Sequence, residues 1–173
     1  GELLARVLDA GTTRIVVGLG GSGSTDGGAG ALAALGMRLL DVRGRELPEG
    51  GAALAGLAHV DTAGLRTPPA ELVLWCDVEA PLTGPRGAAS VFGPQKGATP
   101  DEVRVLEAAL ARLAAVLGGD PDAAGSGAAG GTAYGLRTAW GATLASGAAA
   151  VAELTGLDAA IASADLVITG EGR

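Results

Sequence analysis

The chain has 173 residues, with 12 basic and 19 acidic side chains and a net charge of −7. That length supports one domain with its own core. The acidic balance, with one lysine and eleven arginines, argues against the clustered cations a nucleic-acid surface needs, and no apolar run reaches the roughly 18 residues of a membrane span.

The one cysteine, Cys76, excludes an intrachain disulfide and fits a reducing, cytoplasmic compartment. The chain begins at Gly1 and stops at ITGEGR, just after an apolar run. Both ends read as the interior of a longer protein.

Leu3, Leu4, Val7 and Leu8 share a helical face over Glu2 to Ala10, and Gly11 is the expected stop. Arg14 to Gly20 (RIVVGLG) reads as a buried parallel strand. Gly28 to Gly36 reads as a small-residue helix, and Met37 to Val42 as a short strand. Pro68 and Pro69 break the chain before a second buried strand, Glu71 to Val78 (ELVLWCDV). Residues 79 to 98 are dense in Gly and Pro and show no period, which predicts a loop of about 20 residues, of a length that is usually functional or disordered. Thr99 to Leu117 carries Thr99 as N-cap, Pro100 at the first position and Glu102 as the closing residue of a capping box. A second glycine-rich stretch, Gly125 to Gly135, leads into a helix over about Thr132 to Leu144. Ala148 to Leu154 reads as a weak strand, and Leu157 to Ala164 as a short helix. Asp165 to Thr169 (DLVIT) reads as a third buried strand. The alternation predicts an α/β fold with a mainly parallel sheet and flanking helices. In such sheets ligands sit beyond the carboxyl ends of the strands.

The stretch RIVVGLGGSGSTDGGAG (14 to 30) carries the densest chemistry. Gly18, Gly20 and Gly23 satisfy G-x-G-x-x-G, and Asp41 lies about twenty residues on, as in a dinucleotide fingerprint. Two details oppose that reading. Residues 24 to 28 delay the helix that should meet the pyrophosphate, and Asp26 puts a carboxylate into the loop. The Gly-Lys-Ser/Thr of a P-loop is absent as well. What remains is a run of backbone N–H groups with the hydroxyls of Ser22, Ser24 and Thr25 and the carboxylate of Asp26. N–H groups hold anionic oxygens, and a carboxylate beside them holds Mg²⁺ or orients a hydroxyl. The same residues also suit a tight turn with Asp26 as a helix cap.

Asp77 sits at the carboxyl end of the second strand and suits a metal ligand, a base or a turn former. Cys76, inside that strand, reads as a small buried hydrophobe, and His59 as structural or exposed. Lys96, in FGPQKG, is the lone ammonium of an arginine-rich chain and can meet a phosphate as a point charge. Gly170-Glu171-Gly172-Arg173 places an acid and a base after the third strand.

GGSGSTDGGAGALAALG (20 to 36), CDVEAPLTGPRGAASVFGPQKGAT (76 to 99), GSGAAGGTAYGL (125 to 136) and GLDAAIASADLVITGEGR (156 to 173) together resemble the bacterial glycerate kinases, in order and over essentially the whole chain. Thr25 and Ala80 stand where that family usually has asparagine. The resemblance implies a two-domain α/β enzyme with its site in the cleft between domains. Residues 1 to 160 would be the central domain, and 161 to 173 a strand returning toward the second. It implies transfer of the ATP γ-phosphoryl group to D-glycerate, with Mg²⁺, giving 2-phosphoglycerate. Gly20, Gly21, Ser22, Gly27, Gly28 and Gln95 would bind phosphate or substrate. Asp26 and Asp77 would hold Mg²⁺ or polarise the substrate hydroxyl. Lys96 and Arg173 would neutralise charge, and Glu171 is a further metal or base candidate. The competing readings are a Rossmann-type NAD(P)-dependent oxidoreductase using Gly18, Gly20, Gly23 and Asp41, and a piece that keeps the fold without catalysis. By itself the chain is expected to be inactive.

Overall fold

β-branched residues and leucines set the central sheet. In the computed structural model, which describes residues 1–170, Arg14–Gly18 (β1), Glu71–Trp75 (β4) and Thr143–Ala145 (β5) pair in parallel in the order β1-β4-β5. Gly18 is level with Trp75, and Trp75 with Ala145. The three strands therefore finish in one row. Arg38–Leu40 (β2) and His59–Asp61 (β3) form a separate antiparallel pair. The helices are Glu2–Asp9 (α1), Ala29–Ala34 (α2), Ala88–Phe92 (α3), Pro100–Leu117 (α4), Ala128–Trp140 (α5), Gly147–Thr155 (α6) and Leu157–Ala162 (α7). The mainly parallel α/β architecture is the one the alternation predicts. Among the described residues no helix is long and apolar enough to cross a membrane.

The core has two lobes. One packs Ile15, Leu72 and Leu74 of the sheet against Leu32, Leu35, Leu136 and Trp140. The other gathers Leu54, Leu57, Leu82, Leu110, Leu113 and Tyr134 around α4. α4 forms as expected. The Thr99 hydroxyl accepts from the Glu102 N–H at 3.3 Å, and the Glu102 carboxylate accepts from the Thr99 N–H at 2.8 Å. Burying Leu110 and Leu113 completely contributes about 1.5–3 kcal/mol each.

Several expectations are corrected. β1 and β4 are covered on one face only: Ile15, Leu72 and Leu74 are buried, whereas Val16 is 38% exposed at the sheet edge. Residues 79–98 are not one irregular loop, since α3 and a 3₁₀ turn, Pro94–Lys96, lie within them. Ala148 to Leu154 is helical, because Ser146 caps α6 by accepting from the Ala149 N–H at 3.2 Å and the alanines that follow favour helix. The helix expected to reach Leu144 stops at Trp140, where Gly141 takes a left-handed conformation with φ 71°, and β5 follows. Asp165 to Thr169 forms no strand. A strand exists only in a ladder, and this segment has no partner among the described residues, with Leu166 and Ile168 77% and 87% exposed. His59 is exposed and Cys76 half-buried.

The dinucleotide reading fails on topology. The strand before Asp41 does not extend the parallel sheet beside β1; it pairs with β3. The Asp41 carboxylate is taken up locally. It accepts from the Arg43 and Arg45 N–H groups at 2.8 and 3.0 Å and from the Arg45 guanidinium at 2.7 and 2.9 Å. These contacts hold its pKa below the usual value, the Arg45 N–H first among them.

Candidate functional site

The row of strand ends positions three loops. Beyond β1, the Leu19 N–H still reaches the Trp75 carbonyl at 2.9 Å. After Leu19 the ladder stops. The N–H groups of Gly20, Gly21, Ser22, Gly23 and Ser24 find no acceptor among the described residues. A run of free donors on an accessible loop is what an anionic ligand requires. The chain then turns into α2 at Asp26, whose Oδ1 accepts from the Gly28 N–H and whose Oδ2 accepts from the Gly30 N–H, both at 3.0 Å. Asp26 is therefore the acceptor at the α2 N-terminus, and its half-buried carboxylate also lines a cleft.

Gly27 and Gly28 serve packing. A Cβ at Gly27 would run into the Leu113 methyl, and one at Gly28 would lie 3.1 Å from the Thr132 Cα. Their N–H groups are already given to the Gly130 carbonyl, at 2.9 Å, and to Asp26. They are not free to bind the anion expected of them.

The loop is shaped from behind by Gly127 to Gly131. Ala129, Gly130 and Gly131 are all left-handed, with φ of 51°, 68° and 88°. Ala129 is the one non-glycine residue with positive φ among the described residues, a conformation that costs an alanine about 1 kcal/mol. The turn brings Gly130 so close to Ser24 that a Cβ there would overlap the Ser24 carbonyl oxygen. The GAAGG pattern hints at such a turn. Its left-handed run was not foreseen from the sequence.

Lys96 enters from the opposite side, on the 3₁₀ turn after α3. Its Nζ donates to the Ser22 Oγ at 3.0 Å and to the Ser24 carbonyl at 2.5 Å. It forms no ion pair among the described residues. Burial pushes the Lys96 pKa below the ordinary 10.5, and the nearby Asp26 carboxylate offsets part of that fall. The cation is thus held by neutral oxygens of the glycine loop and is available to a negative ligand.

Two cavities meet at Lys96. One, of about 540 Å³, is lined by Ser24, Asp26, Gly51, Glu102 and Val105 among others. The other, of about 190 Å³, is lined by Gly20, Gly21, Ser22, Gln95, Phe92 and Ala129 among others. Lys96 belongs to both.

Asp77 lies in a third cleft of about 640 Å³, with Trp75 and Gly147, which shares Leu19 and Gly20 with the small cavity. Its carboxylate accepts from the Ser146 hydroxyl at 2.9 Å and from the Ala148 N–H at 3.0 and 3.3 Å. It anchors the N-terminus of α6, with Ser146 as a partner that sequence reasoning missed. The structure therefore gathers Gly20, Gly21, Ser22, Asp26, Gln95 and Lys96 and leaves Asp77 in a neighbouring cleft. Glu171 and Arg173 lie outside the described residues. No group of three or more His, Cys, Asp or Glu side chains forms a metal cage among the described residues. Thr25, in place of the asparagine usual in the resembling family, is nearly buried.

Comparison with known proteins bears on the whole chain. The family model described as "Glycerate kinase family" matches residues 1–173. A glycerate kinase of Bacillus subtilis is 48% identical over 100% of this chain and 47% of its own length. A glycerate 2-kinase of Escherichia coli is 41% identical over 100% of the chain and 47% of its own length. The crystal structure of a putative glycerate kinase 2 from Salmonella typhimurium superposes with a TM-score of 0.85 at 47% identity, covering 99% of this chain and 48% of that one. The chain spans about half the length of the curated relatives it matches.

Proposed function

The chain belongs to the glycerate kinase family, and on that premise we propose that it forms the anion-binding half of an ATP-dependent kinase acting on D-glycerate. The observation that carries this reading is the Lys96 ammonium, hydrogen-bonded to Ser22 and Ser24 of the loop whose N–H groups from Gly20 to Ser24 find no acceptor among the described residues. In the reaction a glycerate hydroxyl oxygen bonds to the γ-phosphorus, the bond from that phosphorus to the ADP oxygen breaks, and the hydroxyl proton leaves to a base. Catalysis of this kind rests on positioning and charge neutralisation more than on covalent steps. Lys96 and the loop N–H groups supply fixed positive charge to the transferring group. Transfer to the 2-hydroxyl, giving 2-phosphoglycerate, belongs to the same proposal.

Mg²⁺ takes most of its ligands from nucleotide phosphates and water, so one or two protein carboxylates suffice. Asp26, on the cleft wall beside Lys96, fits that part. Asp77 fits it less well, because its cleft does not include Lys96; both carboxylates also accept from N–H groups at a helix start. When bound, Mg²⁺ neutralises phosphate charge and aligns the phosphates. Glu171 and Arg173 remain part of the proposal, as does a return of the segment after α7 toward a second domain. A cytoplasmic setting accords with the free thiol of Cys76. The test is a coupled assay of the whole protein with ATP, Mg²⁺ and D-glycerate, with ³¹P NMR of the product. ADP release that depends on glycerate is expected. NAD(H) binding without ATP binding overturns the reading. The chain assayed by itself is expected to show no turnover, and detectable glycerate phosphorylation would refute that expectation.

A further inference from the structure

The two cavities that share Lys96 differ in size and in charge, and the difference assigns the ligands. Sites for nucleotide-sized molecules run from about 300 to 1,000 Å³. The cavity of about 540 Å³ falls in that range, whereas the cavity of about 190 Å³ is below it. The smaller one, which borders the larger cleft at Lys96 and the third at Leu19 and Gly20, suits a compact ligand.

Charge points the same way. The wall of the small cavity carries no acidic side chain, and Lys96 is its one charged group. Its other polar groups are the free N–H groups of Gly20 and Gly21, the Ser22 hydroxyl and the Gln95 amide, which makes no hydrogen bond among the described residues. Phe92 and Ala129 complete it with apolar surface. This combination suits a bare carboxylate on a short carbon chain. The large cleft instead carries Asp26, Glu49 and Glu102. Carboxylates repel free phosphate oxygens but accept a nucleotide that arrives with its cation. The third cleft, around Trp75 and Asp77, has no cationic side chain in its wall.

We infer that the cavity bounded by Gly20, Ser22, Gln95 and Phe92 seats the small hydroxy acid, and that the nucleotide phosphates reach Lys96 from the larger cleft beside Asp26. The inference rests on the kinase reading. It makes Lys96 the wall between the two ligands, with its ammonium at the junction where the phosphoryl group crosses. Gln95 becomes a determinant of affinity for the acid alone.

The experiment is isothermal titration of the whole protein with D-glycerate and, separately, with ATP·Mg²⁺, for wild type, Gln95→Leu, Ser22→Ala and Val105→Trp. Gln95 and Val105 are exposed, so folding is preserved, and circular dichroism checks it. Gln95→Leu is expected to weaken glycerate binding about tenfold or more, the cost of a lost hydrogen bond to a charged ligand, with ATP·Mg²⁺ binding unchanged; Ser22→Ala, which also removes an acceptor of the shared Lys96, is expected to weaken glycerate binding by at least as much. Val105→Trp, which narrows the large cleft, is expected to weaken ATP·Mg²⁺ binding alone. Any other pattern, in a protein that binds both ligands, overturns the assignment and leaves the kinase reading intact. A wild type that binds neither ligand overturns the kinase reading and the assignment with it.

Discussion

Replacing Gly130 with alanine is expected to disturb the loop and Lys96 together. Two costs combine. Gly130 has φ +68°, where an alanine loses about 1–2 kcal/mol. Its Cβ would overlap the Ser24 carbonyl oxygen and lie 2.7 Å from the Ser24 carbonyl carbon and 2.8 Å from the Thr25 Cα. Ordinary contact begins near 3.4 Å, so the loop has to retreat by at least ~0.7 Å. Overpacking of this kind costs about 1–3 kcal/mol. The expected loss is thus about 2–5 kcal/mol, read as a lower urea midpoint at constant m-value. Because the displaced carbonyl is an acceptor for Lys96, kcat/KM falls as well. A shift near 1 Å at a catalytic cation costs about 10²-fold. Ala129→Gly is the control. Ala129 is already left-handed, so its replacement is expected to stay within about 1 kcal/mol of wild type. Gly130→Ala with wild-type midpoint and turnover would refute the account. So would Ala129→Gly with an equal loss.

The remaining predictions concern charge and capping. In the proposed reaction Lys96 acts as the cation, so kcat/KM is expected to fall with rising pH below the ordinary lysine value of 10.5, and Lys96→Arg should abolish that alkaline limb while lowering the maximum. Stability moves the opposite way over that interval. The folded form gives up its proton first, the unfolded chain holds more protons, and stability rises with pH; a fall there would contradict the burial of Lys96. Asp77→Ala removes the acceptor for Ser146 and Ala148 and should cost about 0.5–2 kcal/mol, with Asp77→Asn losing less. Lost activity at unchanged Tm would instead mark Asp77 as a ligand-binding group. Thr99→Ala should cost about 1 kcal/mol through the α4 cap. The Glu102 carboxyl, held below 4.5 by the Thr99 N–H first and then by the Thr99 hydroxyl, contributes stability that is lost as pH falls through its folded pKa, and that acid limb should shrink in the variant.

What the sequence discloses is local. The capping box of Thr99 and Glu102 lies within four residues and could be read directly. β1 and β4 were legible because their short apolar runs stand out, and the α/β class follows from the alternation. β5 was not, since three residues become a strand only by pairing with Val73 to Trp75. The DLVIT segment failed for the converse reason: it has a strand composition and no ladder partner among the described residues. At the site, the glycine loop and Lys96 could each be singled out. Their meeting could not, because Lys96 and Ser22 are 74 positions apart. Asp26 and Asp77 looked alike in sequence, and both accept at a helix start; only the folded chain shows that Asp26 shares its cleft with Lys96 and Asp77 does not.

One feature of composition becomes an experimental handle. Lys96 is the only lysine in the chain, and a depressed pKa makes its neutral, nucleophilic amine more abundant than that of an exposed lysine at mildly alkaline pH. Amine-directed acylation of this segment therefore reports one side chain, set apart from the Gly1 amino group by peptide mapping. The extent of labelling, followed by mass spectrometry as ligands are added, counts occupancy of the cleft without any turnover.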